Sequence, residues 1–330
     1  MGSKKKLLIP NQSGRMESSK ILNPYPKVYI IVLYWSNISG LRECLFSLLK
    51  VTYPNFNVLV VNNGSDRGLD LTDIDQTSGC DLSIINSPSN LGFAAGNNLG
   101  IREALNCQAD YILLLNDDTA VSKDFLNILV DIGENNPAVG MLGPKIYYFD
   151  DPRRIWFAGA KFDRQTGFVL TPGSDKIDSN EEDEKEMESD YITGCALLVK
   201  RKVVEKIGLL DKRFFLYWED VDWGLSSKKA GFRNLVVPSS KIWHKISISS
   251  GGPNSSLKVY HKVRSHFLLV KLHAPDVKWK LMVRFMRDIA WLLFKSTDPD
   301  RIKKARAYIA AIIDYHLGKT DRGPDWLWIN

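Results

Sequence analysis

The sequence predicts an α/β fold with a doubly wound, mostly parallel, Rossmann-like sheet and a helical C-terminal extension. Apolar runs of strand length alternate with stretches whose apolar residues recur at helical spacing. This alternation is typical of parallel sheets whose connecting helices cover both faces. Three predicted strands end in the polar clusters Trp35-Ser36-Asn37, Asn62-Asn63 and Asp117-Asp118. Because the carboxyl ends of parallel strands lie along one sheet edge, one nucleotide-sized ligand could contact all three clusters.

The predicted elements follow the chain in a regular order. Strands are expected at 28–33, 58–61, 82–85, 111–115, 139–148, 192–199 and 235–238, with a strand pair within 153–169. Helices are expected at 41–49, after the Gly-rich stretch 90–100, and at 125–132, 201–207, up to Lys229 and from Lys258 onward. We therefore divide the chain into a disordered polar leader (1–26), a main domain (27–256) and a helical C-terminal region (257–330).

Length and composition favour a globular protein and argue against several other classes. The 330 residues are 44% hydrophobic and 25% charged, which suits one large or two modest domains. The four cysteines show no metal-finger spacing, so we expect reduced thiols in a cytoplasmic protein. We expect no signal peptide, and no apolar run reaches the ~18 residues of a spanning helix.

Charge is unevenly distributed along the chain. The formal net charge is +6, and much of the excess lies near the two ends. A basic C-terminal region predicts an anionic partner, either a membrane surface or a phosphate-rich ligand. No nucleic-acid-binding module is visible, so we expect no nucleic-acid partner.

Two adjacent carboxylates, Asp117 and Asp118, follow the apolar run 111–115 after a single residue, Asn116. Like charges at the end of a buried strand repel each other and lose solvation. A hard divalent cation that carries substrate phosphates would compensate them. The simpler interpretation is a strand-to-helix turn in which an aspartate caps the helix.

Two polar segments interrupt the second half of the main domain. Residues 174–190 are strongly acidic and lack an apolar pattern, which predicts a mobile surface loop, with calcium binding as the sharper alternative. Residues 247–256 are rich in Ser and Gly, which indicates a flexible loop or lid.

Taken together, the motifs resemble those of the family 2 inverting glycosyltransferases, which have the GT-A fold. The resemblance covers residues 28 to 273, and the motifs occur in the family's order: IIVLYWSN, VVNNGS, NLGFAAGNN, LLLNDDT, GCALLVKR, FFLYWEDVDWGL and VVPSSKIWH. NLGFAAGNN and FFLYWEDVD point to the branch that contains rhamnosyltransferases and galactofuranosyltransferases. The resemblance implies transfer of a hexose from a UDP- or dTDP-linked donor to a hydroxyl of a glycan or lipid-linked acceptor. Within the main domain, it assigns the donor to residues 27–120 and the acceptor to 121–256.

The resemblance also implies roles at the donor side of the site. Asp118 and His244 would bind a divalent metal, Mn²⁺ or Mg²⁺, and imidazole suits Mn²⁺ better. His244 could instead be a structural histidine after an apolar strand. The expected donor-binding residues are Trp35, Asn62, Asn90, Gly92, Asn97 and Asp117. The alternative for the glycines is a tight loop that binds no ligand.

On the acceptor side, the family pattern assigns the catalytic base to Asp220. Inversion by direct displacement needs one base to take the proton of the acceptor hydroxyl, and burial would raise the base strength of Asp220. Glu219 is expected to orient acceptor hydroxyls, although it remains the rival base. Trp218 and Trp243 are expected to stack on sugar faces, with plain core packing as the alternative. Glu219 and Asp220 could also simply be acidic residues at a helix N-terminus, where the helix dipole favours negative charge.

The chain departs from the family pattern at two positions. The family usually has Asp at the position of Asn62, where it contacts the base, and often has Arg at the position of Ser226. An amide can donate or accept a hydrogen bond, whereas a carboxylate only accepts, so Asn62 leaves the nucleotide base open.

Two other functions remain as alternatives. A non-catalytic nucleotide-sugar- or glycan-binding protein on the same fold would fit these two departures. A nucleotidyltransferase would need a Gly-rich, Lys- or Arg-containing loop after the first strand, and YWSNISG does not provide one.

Residues 279–294 of the C-terminal region mix apolar and basic side chains. They predict either a helix packed on the main domain or an interfacial helix on the inner face of the cytoplasmic membrane. The oligomeric state stays open.

Overall fold

The protein, described here from a computed structural model, is an α/β structure built on one large mixed sheet. The structure describes residues 25–65, 69–71, 74, 81–178, 185–245 and 255–328. In this part of the chain the strands are β1 Val28–Tyr34, β2 Phe56–Asn63, β3 Asp81–Ser87, β4 Tyr111–Asn116, β5 Thr119–Val121, β6 Val139–Tyr148, β7 Ile155–Phe157, β8 Lys161–Asp163, β9 Phe168–Leu170, β10 Met187–Glu188, β11 Ala196–Lys200 and β12 Arg233–His244. The helices are α1 Ile38–Leu48, α2 Gly92–Asn106, α3 Phe125–Asn135, α4 Arg201–Ile207, α5 Glu219–Lys229, α6 Ser256–His273, α7 Lys278–Phe294 and α8 Arg301–His316.

The sheet order is β10-β12-β6-β11-β4-β1-β2-β3, with β5 beside β12 and β7 beside β6. Strands β4, β1, β2 and β3 are parallel, as are β6 and β12, whereas β11 runs antiparallel to both β4 and β6. The apolar residues of β1, β2 and β4 are buried because helices cover both faces, which explains their nearly continuous apolar sequences. The predicted doubly wound, mostly parallel fold is confirmed.

Several boundaries differ from the sequence-based expectation. Helix α2 begins at Gly92, inside the Gly-rich stretch rather than after it. Strand β11 begins at Ala196, because the preceding residues turn against α5 instead of extending the ladder. The strand predicted at 235–238 is part of the longer strand β12, which extends to His244 and has an irregularity between Val237 and Lys241.

The acidic segment 174–190, for which a mobile loop is predicted, makes specific contacts at both of its described ends. Asp178 is buried and forms an ion pair with Lys145, and β10 pairs with β12 in the main sheet. Acids in the second half of the segment pair with basic side chains, Glu188 with Arg233 and Asp190 with Lys228. Charge pairing with neighbouring elements orders these ends although they carry few apolar residues. Residues 179–184 lie outside the described part.

The C-terminal helices share the main hydrophobic core, to which α6 contributes Tyr260, Val263 and Phe267. The Tyr260 hydroxyl donates to Asp314 of α8 at 2.7 Å, and Arg264 donates to the same hydroxyl at 3.0 Å. The helical C-terminal extension is therefore packed on the main domain. Within the described residues, no helix is both long and apolar enough to cross a membrane. The predicted leader up to residue 24 and most of the predicted lid, 246–254, lie outside the described residues.

Candidate active site

A cleft of about 610 Å³ opens at the carboxyl ends of β1, β2 and β4. Its walls include Trp35 after β1, Asn63 at the end of β2, and Asp117 and Asp118 after β4. The opposite side is formed by α5 and the first turns of α6. The predicted meeting of polar strand ends at one edge is therefore found in the structure.

Asp118 and His244 form a close pair at the base of this cleft. Strand β12 runs antiparallel to β5, and this pairing sets His244 opposite Thr119, next to Asp118. Asp118 Oδ1 lies 3.0 Å from His244 Nε2, and both side chains are at least 92% buried. The orientation does not make a hydrogen bond. Among the described residues, neither ring nitrogen of His244 has a hydrogen-bond partner, and Asp118 Oδ1 has none either. Buried polar atoms without partners are costly, so the pair is suited to a ligand that accepts their lone pairs, as a metal ion does.

This chain supplies only part of a metal coordination shell. No cluster of three or more His, Cys, Asp or Glu side chains suited to a metal occurs among the described residues. A divalent ion at Asp118 and His244 would need further oxygen ligands, which substrate phosphates and water provide in nucleotide-dependent enzymes. Asp117 lies beside this pair, and burial together with the Asp118 charge raises its pKa well above the usual range.

The N-terminus of α5 brings Glu219 and Asp220 into the cleft through an unusual backbone conformation. Tyr217 and Trp218 both have positive φ, 69° and 74°, which is uncommon for residues with a side chain. Trp218 is held by a hydrogen bond from Nε1 to the Lys262 carbonyl (2.9 Å) and by stacking on His266 (4.7 Å between centroids). Strain of this kind clusters at functional sites, and here it turns the start of α5 toward the strand ends.

Asp220 and Glu219 differ in their hydrogen bonding although they are adjacent. Asp220 accepts hydrogen bonds from the backbone N–H groups of Gly194 (2.9 Å) and Val221 (2.8 Å). Burial raises the pKa of Asp220, and these hydrogen bonds oppose the rise. Burial, followed by the Asp220 charge, raises the pKa of Glu219 well above its usual range, and Glu219 Oε2 lacks a partner. Asp220 is therefore the carboxylate better supported in its ionised form.

The Gly-rich motif forms the wall beside Trp35. Asn90 Oδ1 accepts from the Gly92 N–H (2.8 Å) and from the Asn63 side chain (3.2 Å). Gly92 has a φ of 79°, and a Cβ there would lie 2.2 Å from the Phe215 carbonyl oxygen. Glycine is thus required where α2 docks against Phe215.

Three predicted site residues do not line the cleft. Trp243 packs on Tyr147 (6.2 Å between centroids), because alternate residues of a strand face opposite sides and His244 faces the cleft. Asn97 is 1% exposed inside α2 and bonds to the Phe93 carbonyl. Asn62 bonds to Asn86 (2.9 Å) and to the Ser65 N–H (3.2 Å), so its polar atoms are used within the strand ends.

Sequence reasoning missed several cleft residues that come from distant parts of the chain. Their side chains line the cleft, and they are Trp156, Thr193, Phe215, Lys258, Lys262 and Trp328. Trp156 contacts the His244 ring at 4.5 Å, and Trp328 contacts Trp35 at 5.6 Å between centroids. The i, i+4 spacing of Lys258 and Lys262 on a predicted helix was the only available signal.

Comparison with known proteins identifies the family. The profile of the family described as Glycosyl transferase family 2 matches residues 29–208, more than half of the chain. The chain belongs to glycosyl transferase family 2. The resemblance predicted from the motif order is confirmed, and the matched region includes the strand ends, the Gly-rich motif, and Asp117 and Asp118.

Relatives of this family 2 glycosyltransferase include named rhamnosyltransferases. It is 25% identical over 262 residues to N-acetylglucosaminyl-diphospho-decaprenol L-rhamnosyltransferase of Mycobacterium tuberculosis, covering 72% of this chain and 83% of that protein. It is 24% identical over 309 residues to dTDP-rhamnosyl transferase RfbF of Shigella flexneri. This match covers 89% of this chain and 96% of that protein. It is also 27% identical over 242 residues to the uncharacterised protein y4gI of Sinorhizobium fredii, covering 68% of this chain but 25% of that protein.

Solved structures share the fold of this family 2 glycosyltransferase. GalNAc-T7, crystallised with UDP, GalNAc and Mn²⁺, has a TM-score of 0.59 at 14% identity and covers 89% of this chain and 57% of its own. The mannosyltransferase PcManGT of Pyrobaculum calidifontis, in complex with GDP-Man and Mn²⁺, has a TM-score of 0.55 at 15% identity. The match covers 90% of this chain and 89% of PcManGT. The predicted GT-A fold is thereby confirmed.

Proposed function

We propose that this protein is an inverting glycosyltransferase of cell-surface polysaccharide or glycoconjugate synthesis. It moves a hexose such as rhamnose or galactofuranose from a nucleoside-diphosphate sugar to a hydroxyl of a glycan or lipid-linked acceptor. One observation carries the proposal: a single cleft holds both the buried Asp118–His244 pair and the hydrogen-bonded carboxylate of Asp220. The Asp118–His244 pair is suited to binding a metal ion that carries a diphosphate, and Asp220 is suited to act as a general base.

The donor half of the proposal depends on a divalent metal. Asp118 and His244 would hold the ion, which as a Lewis acid would stabilise charge on the departing diphosphate. Mn²⁺ is the first candidate because imidazole is a ligand, and two proteins of similar fold were crystallised with Mn²⁺. We propose Trp35, Asn90, Gly92 and Asp117 as donor contacts, since all four line the cleft.

The names of the relatives indicate which sugar donor to test first. One relative is named a dTDP-rhamnosyl transferase, so dTDP-rhamnose is the first donor to test and UDP-linked sugars are the second. Asn62 would influence base choice indirectly, through its hydrogen bonds to Asn86 and Ser65. Residues 27–120 would thus bind the donor, as the motif order predicts.

The acceptor half of the proposal depends on the start of α5. Asp220 would take the proton of the acceptor hydroxyl as that oxygen attacks the anomeric carbon from the side opposite the leaving group. Trp218 and Glu219 line the same cleft and would position the acceptor sugar. A lipid-linked acceptor is the first candidate, because one relative is named for a decaprenol-linked substrate.

Calorimetry tests the metal-dependent donor site. Titration with dTDP or UDP should show tighter binding with Mn²⁺ than with EDTA, and Asp118→Ala should remove the metal-dependent part. Asp131→Ala, an exposed aspartate of α3, is the matched control and should bind as the parent does. Equal affinity in Mn²⁺ and EDTA would contradict the metal role.

An assay of donor hydrolysis and transfer then separates catalysis from binding. Sugar transfer or slow donor hydrolysis in Mn²⁺ supports an enzyme. Tight, metal-dependent nucleotide binding with no turnover across dTDP-, UDP- and GDP-sugars would instead support a non-catalytic binding protein on this fold.

The C-terminal helices would contact the inner face of the cytoplasmic membrane peripherally. Trp279, Val283, Met286 and Phe294 of α7 are exposed and recur at spacings that place them on one helix face. Lys280, Arg284 and Arg287 lie along one edge of this face by the same helical geometry. Apolar side chains beside a row of cations are typical of helices that lie on anionic bilayers. Such a contact would place the enzyme near a lipid-linked acceptor.

A further inference from the structure

Lys258 is a buried cation that faces the cleft without a partner. It lies in the first turn of α6, is 6% exposed and lines the cleft wall. Its ammonium group forms no hydrogen bond or ion pair with another described residue. Lys262, one helical turn later, lines the same cleft and is exposed at its rim, with its ammonium 5.3 Å from the centre of the Tyr217 ring.

An unpaired ammonium in this position is unfavourable in the ligand-free protein. Burial lowers the pKa of Lys258, and the Lys262 charge lowers it further, whereas the Asp118 charge raises it. A buried charge is normally paired, because removing an ion from water is unfavourable. An anion bound in the cleft, which Lys258 lines, would compensate this charge.

The position of Lys258 indicates which anion this is. It interacts electrostatically with Asp118, so it lies on the donor side of the cleft. The backbone N–H groups at the start of α6 add partial positive charge on the same side. A diphosphate held between the Asp118–His244 pair and α6 would meet all of these groups.

We propose that Lys258, assisted by Lys262 at the rim, binds the diphosphate of the sugar donor and stabilises its charge as the sugar leaves. This inference rests on the proposed function and extends it, because it makes α6 of the C-terminal region part of the donor site. In the transfer step the bond between the anomeric carbon and the phosphate oxygen breaks, and its electron pair stays on that oxygen. The acceptor oxygen forms the new bond, and its proton passes to Asp220. Lys258 keeps its proton and acts by charge alone.

A diphosphate can also enter the cleft on a lipid-linked acceptor. The proposal assigns Lys258 to the donor, and direct titration with free nucleotides, in the absence of acceptor, separates the two sources. A variant that loses affinity for the acceptor while binding nucleoside diphosphate normally would contradict the assignment.

The test compares nucleoside diphosphate with nucleoside monophosphate in the full chain. In Lys258→Met, calorimetry with Mn²⁺ should show dTDP or UDP binding weakened about tenfold or more, because hydrogen bonds to charged groups are among the strong ones. Binding of dTMP or UMP should change much less. Lys271→Met, an exposed lysine of the same helix, should bind all nucleotides as the parent does.

Thermal stability provides a readout that separates this role from a structural one. Removing a lone buried charge should leave the Tm of the ligand-free protein unchanged or raise it, whereas loss of a structural lysine would lower it. Lys262→Met, at the exposed rim, keeps the proposal testable if Lys258→Met does not fold, and it should weaken dTDP or UDP binding about two- to fivefold.

Two results would overturn the inference. The first is diphosphate affinity unchanged in folded Lys258→Met or, if that variant does not fold, in Lys262→Met. The second is an equal loss for monophosphate and diphosphate. If the parent protein binds no nucleoside diphosphate at all, the proposed function fails instead, so the two failures are distinguishable.

Discussion

Two neighbouring carboxylates at the start of α5 illustrate how small differences in surroundings separate roles. Asp220 receives two backbone N–H donors, whereas Glu219 is 5% exposed and has one carboxylate oxygen without a partner. Hydrogen bonds to a carboxylate favour its charged form, and desolvation disfavours it. Asp220 can therefore act as a base at neutral pH. Of the two carboxyl groups, Glu219 is the one whose protonated form is favoured.

Asp220→Asn tests this division of labour. The amide keeps the shape but cannot take a proton, so turnover should fall by ~10²–10⁴-fold while donor affinity barely changes. Initial rates and nucleotide titrations measure the two quantities. Asp222→Asn is the control: Asp222 Oδ1 contacts His273 Nε2 at 2.7 Å, linking α5 to α6, so the loss should be mainly in stability. If Glu219→Gln abolishes transfer and Asp220→Asn leaves it intact, Glu219 is the base.

Glu219→Gln should also stabilise the protein at neutral pH. Because the folded-state pKa of Glu219 is raised, folding takes up a proton between its unfolded and folded values, and this group's contribution to stability falls as pH rises through that window. Glutamine removes the penalty, so Tm at pH 7 should increase by roughly 2–4 °C, as expected for about 1 kcal/mol in a domain of this size. The gain should shrink near pH 4, where the carboxyl is protonated in both states. A gain that is equal at both pH values would contradict this account.

Single residues also show where sequence-based prediction succeeds and fails. Asp118 and Asp220 could be predicted as site residues because each belongs to a local sequence motif. The structure brings both into one cleft. Trp243 was misplaced because motif membership does not tell which way a side chain faces, and the strand alternation that puts His244 in the cleft turns Trp243 away. Lys258 was missed because it is 140 positions from Asp118 in the sequence, and only the tertiary fold brings both residues to the same cleft.

At the scale of elements, contacts between residues far apart in the sequence determine structure that local composition does not predict. Strands β1, β2, β4 and β6 and helices α3 and α4 were predicted closely because their apolar patterns are strong. The acidic segment 174–190 looks like a loop by composition, yet Asp178 is buried against Lys145 at 3.2 Å and Tyr147 donates to the same carboxylate. Its partners lie more than 30 residues away, where no local pattern reveals them.

Asp178→Ala should therefore be strongly destabilising. It removes a buried carboxylate that pairs with Lys145 and accepts a hydrogen bond from Tyr147, and breaking a buried ion pair costs ~3–5 kcal/mol. Urea denaturation measures the change in the free energy of unfolding. Asp151→Ala is the matched control, because its pair with Arg154 is exposed and should contribute at most ~1 kcal/mol.

A double variant distinguishes charge from packing at this position. Lys145→Met combined with Asp178→Leu removes both charges, so it should lose less stability than Asp178→Ala alone. Deleting 174–190 should likewise cost several kcal/mol, since it removes Asp178 and β10 together. If the deletion variant melted with the parent protein, the packing described for both ends would be unimportant to stability.

On the scale of the whole molecule, the C-terminal helices have two surfaces with different roles. One surface is buried: α6 contributes to the central core, and Trp328 reaches the cleft beside Trp35. The other surface is exposed and apolar, on α7 through Trp279, Met286 and Phe294 and on α8 through residues such as Ile302 and Ile313. Both interpretations of residues 279–294 thus apply to opposite faces of α7: the packing is observed, and the membrane contact is proposed.

Vesicle flotation tests the exposed surface. Trp279→Ser combined with Phe294→Ser removes two side chains that are 64% and 84% exposed, so folding should be retained while binding to phosphatidylglycerol-containing vesicles is lost. Each nearby Lys or Arg adds ~1 kcal/mol of attraction to an anionic surface, so parent binding should weaken in high salt and on neutral phosphatidylcholine vesicles. Ile84→Ser, an exposed apolar residue on β3, is the control and should bind like the parent. If the parent does not float with anionic vesicles, or if the double variant instead converts a dimer to a monomer in gel filtration, the apolar face of α7 pairs with protein rather than lipid.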